Sequence, residues 1–180
     1  NLLLNPSERE RDAAEHWYER AIEFAARLGA ASVGGHVGAF SVPDWADPAR
    51  RRMLWDELRA RLARLAGIAR EAGLEGFLVE NLAARREPST MADIESLITA
   101  GDTQHVPIQL CLDVGHMCVP DTQGEERDPY AWLRRLGSRA SVIQIQQGDT
   151  EGDRHWPFAA RYSGMGRIDP DRVLETLGAD

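Results

Sequence analysis

Glu80 and Asp113 each close a hydrophobic run, FLVE at 77–80 and LCLD at 110–113, while a third run, SVIQIQ at 141–146, closes on amides. Burying an ionised carboxylate without a partner is costly or shifts its pKa upward, so an acid at the end of an apolar strand points to a cation or a reaction. Thirty-three positions separate Glu80 from Asp113, and thirty-three more separate Asp113 from Gln146. One strand–helix unit of an eightfold barrel takes about 30 residues, and such barrels carry their chemistry at the carboxyl ends of the strands. The three side chains therefore read as a site built from successive strands. Their oxygens are hard ligands of the kind that suit Mn²⁺ or Mg²⁺. Taken singly, each is as well explained as a cap on a neighbouring helix; the even spacing is what joins them. Gln144 and Gln146 share one face of their strand and Gln147 takes the other, and Gln146, nearer the strand end, is the expected ligand.

Further polar residues follow the same strand ends. His116 stands three positions after Asp113, beside the site. His36 follows Gly34-Gly35, which let a substrate approach the backbone closely, and it reads either as a partner for a sugar hydroxyl or as a loop histidine. Arg86 is close enough after Glu80 to reach a substrate. After Gln146 come Arg154-His155-Trp156-Pro157-Phe158 and then Gly164-Met165-Gly166-Arg167. Arginine, histidine and glycine amides suit a small anion such as phosphate, with Trp156 and Phe158 as walls against water; a surface loop around a packed tryptophan is the plainer alternative. His16 and His105 read as surface and loop histidines without a role.

The elements that must position these residues alternate. Helices are expected at 7–28, 48–72, 90–100, 129–136 and 170–177, and strands at 31–35, 76–80, 107–113 and 140–147. Ser7 is the expected cap of the first helix, which carries Trp17, Ala21, Phe24, Ala25 and Leu28 at helical spacing. In the second, Met53, Leu54, Leu58, Leu62, Leu65 and Ile68 form the stripe. Alternating strands and helices imply a parallel sheet covered by helices. No glycine-rich phosphate fingerprint follows any strand, so neither a dinucleotide nor a nucleoside-triphosphate cradle is indicated. The long loops all follow strands, and together with the polar strand ends they favour a barrel over a doubly wound sheet.

The 180 residues are 43% hydrophobic and 28% charged, with a net charge of −8, and every cation is an arginine. An acidic chain without a basic stripe argues against nucleic acid as partner. Cys111 and Cys118 match no zinc spacing or disulfide framework, and no run is apolar enough to span a membrane; a reducing, cytoplasmic setting is expected. The chain opens without methionine, already close to a helix, and stops shortly after another. It reads as a single domain over 1–180, an internal piece of a longer barrel lacking its first strands and its last.

On VEN at 79–81, DVGH at 113–116, QIQQGD at 144–149 and GMG at 164–166, the chain resembles the xylose isomerase-like (β/α)₈ superfamily of sugar-phosphate isomerases and epimerases. The strings VEN…RREPST and QIQQGD…DRHWPF look most like its D-erythrulose 1-phosphate 3-epimerase branch. The resemblance implies a TIM barrel, present here as about four parallel strands and five helices. It implies a divalent metal on Glu80, Asp113 and Gln146, the glutamine standing where the family has a ligand histidine. Catalysis would be proton transfer beside a ketose carbonyl, with Glu80 as ligand and acid/base and His116 polarising or orienting the substrate. His36, Arg86, Arg154, His155, Trp156 and Arg167 would hold a small sugar phosphate, and a fourth ligand, a glutamate, is expected beyond this sequence. An aldose–ketose isomerase or an inosose-type dehydratase would use the same scaffold, and a non-catalytic sugar-phosphate binding domain is the alternative from another class. The superfamily's DNA-repair endonucleases fit poorly, since five histidines and the acidic balance do not supply a zinc cluster and a DNA surface. No membrane partner is expected, and homo-oligomers are compatible with this reading.

Overall fold

The computed structural model describes residues 2–104 and 107–178, so His105 lies outside the described residues. Helix α1 (Glu8–Arg27) precedes β1 (Ser32–Gly35). Then come α2 (Val42–Ala46), α3 (Pro48–Glu71), β2 (Gly76–Glu80), α4 (Met91–Ile98) and β3 (Ile108–Asp113). Helix α5 (Pro129–Leu136), β4 (Ala140–Gln144), α6 (Ala160–Ser163) and α7 (Pro170–Leu177) complete the order. The four strands are all parallel and lie side by side in sequence order, β1-β2-β3-β4. This is an α/β partial barrel, as the alternation and the elaborate loops after each strand imply.

One local signal starts three of the helices. Asp47-Pro48, Asp128-Pro129 and Asp169-Pro170 each place an aspartate at the N-cap and a proline at the first helical position, and each aspartate accepts backbone N–H bonds from the first turn. The carboxylate satisfies donors that the helix cannot, and proline lacks the N–H that would be left over. Thr90 and Asp93 form a reciprocal capping box at α4. Ser7 occupies the cap position of α1, yet its side chain makes no cap bond; its N–H instead donates to Asn5 Oδ1.

Between sheet and helices the core includes Leu54, Leu58, Leu62 and Leu65 of α3, with Phe77, Val79, Leu110 and Leu112 from the strands. Met53 of the expected stripe is exposed. In α1 the buried apolar residues are Tyr18, Ile22 and Ala25, the last of them in the expected stripe, whereas Trp17, Phe24 and Leu28 of that stripe are exposed. The helix carries two apolar stripes one position apart, and ionic contacts choose between them. Arg11 donates to Glu57 through Nε and Nη2, both at 2.9 Å, and Arg61 donates to Glu57, Asp12 and Glu15, locking α1 onto α3.

Two further departures concern the strand ends. The segment read as one loop after β1 contains α2, which Ser41 caps by accepting the Asp44 N–H. Strand β4 stops at Gln144 rather than 147, because the chain turns there and Gln147 forms an isolated antiparallel bridge with Trp156. Among the described residues no helix is long and apolar enough to cross a membrane.

Candidate active site

Glu80 is the last residue of β2 and Asp113 the last of β3, both at the carboxyl edge of the sheet. The register pairs Glu80 with Cys111, so β3 continues two residues past the end of β2. Asn81 fills that gap with its side chain. Its Nδ2 donates to the Asp113 carbonyl at 3.0 Å and its Oδ1 accepts the Asp113 N–H at 2.8 Å, extending the ladder by one side-chain rung. Asn81 is 1% exposed and Asp113 likewise 1%. The Gly115 N–H donates to Asp113 Oδ1 at 2.8 Å, which orients the carboxylate.

His116 completes this group. Its Nδ1 lies 2.7 Å from the Asn81 carbonyl oxygen, and because a carbonyl only accepts, Nδ1 carries the proton. The lone pair of a neutral ring is then on Nε2, which sits 3.6 Å from Asp113 Oδ2 and 3.6 Å from Asp153 Oδ1. Glu80 Oε1 is 3.9 Å from Nδ1 on the ring's other side. Glu80, Asp113 and His116 each offer a ligand atom within 4.8 Å of the others, and His116, Asp153 and His155 do the same. Carboxylate oxygens with imidazole nitrogen suit a divalent transition ion, so these donor sets fit a metal.

Gln146 is brought to the site, but not by the atom expected. Its Nε2 donates to Asp113 Oδ1 at 2.9 Å and Oδ2 at 3.0 Å, while its Oε1 accepts the His155 N–H at 2.7 Å. A backbone N–H can only donate, which settles which end of the amide is oxygen. The oxygen expected to bind metal is thus engaged by the loop after β4. Gly115 permits this placement, since a Cβ there would lie 2.4 Å from Gln146 Cγ and Cδ.

Burial raises the pKa of Glu80; the charge of His116 opposes the rise and Asp113 adds to it. A carboxyl group held above its ordinary range at a strand end is suited to accepting and returning a proton. The Cys111 thiol is also pushed up by burial, and it accepts from Gln144 Nε2 at 3.2 Å. Both cysteines are free and buried.

The other expected residues divide. His155 joins the site, its Nε2 3.0 Å from Asp153 Oδ1 and its ring edge-on to His116 with centroids 5.7 Å apart. Arg154 donates from Nε to both oxygens of Asp149, at 3.0 and 3.1 Å, and its guanidinium lies over Trp156. Trp156 stacks on Tyr162 at 5.1 Å, while Phe158 stays exposed. His36 is bound to Glu87, whose hydrogen bond raises its pKa against the effect of burial. Leu78 main-chain atoms fill the space that a Gly34 Cβ would take, so there the close approach is that of the neighbouring strand. Arg86 donates to the Phe40 carbonyl, and Arg167 to the carbonyls of Arg127 and Met117, so both tie loops together. Asn81 and Asp153 carry no expectation from the sequence. Asp153 stands two positions before His155, a carboxylate–imidazole spacing that would have marked it.

Three comparisons bear on this geometry. Residues 2–180 match the profile of the xylose isomerase-like TIM barrel family. The D-erythrulose 1-phosphate 3-epimerase of Brucella abortus (strain 2308) is 30% identical over 165 residues, covering 89% of this chain and 53% of that protein. The chain thus spans about half the length of this curated relative. Among solved structures, a candidate xylose isomerase from Rhodospirillum rubrum superposes with a TM-score of 0.88 at 28% identity, covering 99% of this chain and 60% of that one. A D-tagatose 3-epimerase-like protein does so with a TM-score of 0.79 at 19% identity, covering 99% and 62%.

Proposed function

The chain belongs to the xylose isomerase-like TIM barrel family, and from that premise we propose that it is the catalytic half of a divalent-metal-dependent sugar epimerase whose substrate is a short ketose phosphate. The observation that carries this reading is the gathering of Glu80, Asp113 and His116 at the ends of adjacent strands, one ligand atom from each within 4.8 Å of the others. A divalent ion held by this group would polarise the ketose carbonyl as a Lewis acid and acidify the neighbouring C–H. Glu80 takes up the proton released beside the carbonyl and returns it, and burial, which raises its pKa, favours the protonated form. Asp113 stays fixed by the Gly115 N–H and the Gln146 amide. His116, its Nδ1 proton committed to Asn81, presents Nε2 toward the site. A phosphorylated substrate is supported by the name of the Brucella relative.

The test is solvent exchange. The protein carrying this chain is incubated in D₂O with D-erythrulose 1-phosphate and related ketose phosphates, and the signal of the proton on C3 is followed by NMR. Metal-dependent loss of that signal, abolished by chelator and by Glu80→Gln, is the expected result, and product analysis separates epimer from aldose. Ligand binding with no exchange under any metal would identify a sugar-phosphate binding domain instead.

A further inference from the structure

We propose that a cavity bordered by α2 and by the first turns of α3 and α4 is a second ligand site, which takes a flat organic anion: a ring carrying a phosphate or carboxylate group. The cavity measures about 530 Å³, within the roughly 300–1,000 Å³ usual for small-molecule sites. None of Glu80, Asp113, His116 and Gln146 lines it, so the proposal does not depend on the epimerase reading.

Three rings, Phe40, Trp45 and Trp55, form its apolar lining. The Phe40 and Trp45 centroids are 5.7 Å apart, and those of Phe40 and Trp55 6.2 Å with the planes 22° apart. Phe40 is 2% exposed and its N–H donates to the Arg86 carbonyl at 2.8 Å, while Trp55 Nε1 donates to Ser96 Oγ at 3.1 Å. The rings are thus held in place by the protein's own contacts, which lowers the cost of ordering a site around a ligand. Trp45 and Trp55 are only half-buried, and a planar ring stacks well on an accessible indole.

The charges in the lining select an anion. Arg50, Arg51 and Arg52 follow one another near the start of α3, where the helix's own dipole disfavours cations. Arg50 is compensated by Asp44, whose Oδ1 is 3.0 Å from its Nε. Arg51 and Arg52 both line the cavity, and neither takes part in an ion pair among the described residues. The Arg51 guanidinium lies over the Trp45 ring, 4.8 Å from its centroid. A guanidinium stacked in this way keeps its in-plane N–H donors free for a phosphate or carboxylate. The two acids of the lining are committed elsewhere. Glu87 accepts the Ala84 N–H at 3.1 Å and meets His36 Nε2 at 3.2 Å, and Asp93 accepts the N–H groups of Ser89 and Thr90 at 3.3 and 3.1 Å. In a chain of net charge −8, two arginines without a carboxylate partner in one aromatic cavity are the donors that such an anion needs.

The experiment titrates the protein carrying this chain, with neither metal nor ketose phosphate added, by calorimetry and by quenching of tryptophan fluorescence. The probes are adenosine 5′-monophosphate and benzoate, with adenosine as a ring without the anion and inorganic phosphate as an anion without the ring. The expected result is saturable binding of at least one ring-bearing anion, at least about tenfold tighter than adenosine or phosphate. Tighter binding of the nucleotide assigns a phosphate carrier, and of benzoate a carboxylate carrier. Arg51→Glu, Arg52→Glu and Trp45→Leu should each weaken that binding by about tenfold or more. Because the two arginines have no ion pair to lose, their charge reversal should leave the urea midpoint unchanged or higher, which separates a ligand role from a structural one. Absence of binding of both ring-bearing anions at millimolar concentration overturns the proposal. Equal binding of adenosine, or of phosphate, does so too, as does wild-type affinity in both arginine variants, which would place the ligand elsewhere on the protein. None of these results bears on metal-dependent exchange at C3, so the epimerase reading stands or falls separately.

Discussion

Asn81→Ala should be the most costly single change near the site relative to its size. The amide spans from the end of β2 to the main chain of Asp113, donating at 3.0 Å and accepting at 2.8 Å, and is 1% exposed. Truncation leaves the Asp113 N–H and carbonyl without these partners, next to a residue itself 1% exposed. A buried main-chain group deprived of its partner costs about 1–3 kcal/mol, so the two together amount to about 2–6 kcal/mol. Asn81→Asp separates the two bonds, since a carboxylate still accepts the Asp113 N–H but cannot donate to its carbonyl, and it sets a second anion beside Asp113. It should therefore be no better than alanine at neutral pH. Because His116 uses the backbone carbonyl of residue 81, its ring orientation survives both changes. Urea unfolding followed by tryptophan fluorescence and circular dichroism gives the free energies. A loss below about 1 kcal/mol for Asn81→Ala would mean that water replaces both bonds and that the side-chain rung is not what holds Asp113.

Three further outcomes follow from contacts elsewhere. Arg61→Ala removes a cation 7% exposed that bonds Glu57, Asp12 and Glu15; Arg11 and Arg64 still hold Glu57 and Glu15, so the loss in urea unfolding should be about 2–4 kcal/mol, near the low end for a broken buried pair. Burial would raise the pKa of Glu57, but Arg11 and Arg61 hold it below the ordinary 4.5. A depressed folded pKa means stability that is present above that ordinary value and lost as pH falls through the folded one, so the urea midpoint should drop below about pH 4.5 and drop less in Arg61→Ala. An unchanged slope in that variant would remove Glu57 from the acid response. Gly115→Ala forces a Cβ to within 2.4 Å of Gln146 as now placed, and thermal unfolding should show a loss of about 1–3 kcal/mol, with faster hydrogen exchange at the His155 amide as its acceptor is displaced.

How much of this was legible in the chain depended on how local each signal is. Asp-Pro starts, the leucine stripe of α3 and the apolar runs of β2 and β3 act over a few residues, and the order of the strands and five helices read from them holds, with the short α2 and α6 added inside segments read as loops. Glu80 and Asp113 were legible because an acid closing an apolar strand stands out against its neighbours. The buried side of α1 was not, because Trp17–Phe24–Leu28 and Tyr18–Ile22–Ala25 are both apolar stripes, and the choice between them is made by Arg11 and Arg61 meeting acids about 46 positions away. Gln146 shows the limit most clearly. Residue type and position placed it beside Asp113, yet an amide can present either oxygen or nitrogen, and that choice lies with an N–H nine positions on, in a loop without periodicity. The same loop carries Asp153, whose carboxylate has no apolar run to announce it. Strand ends therefore announce the residues that the sheet positions; of those that the returning loop brings back, His155 stood out in the sequence and Asp153 did not. On this edge the loop supplies at least two of the groups facing His116, so the chemistry of the site depends on where the chain leaves β4 as much as on the strands themselves.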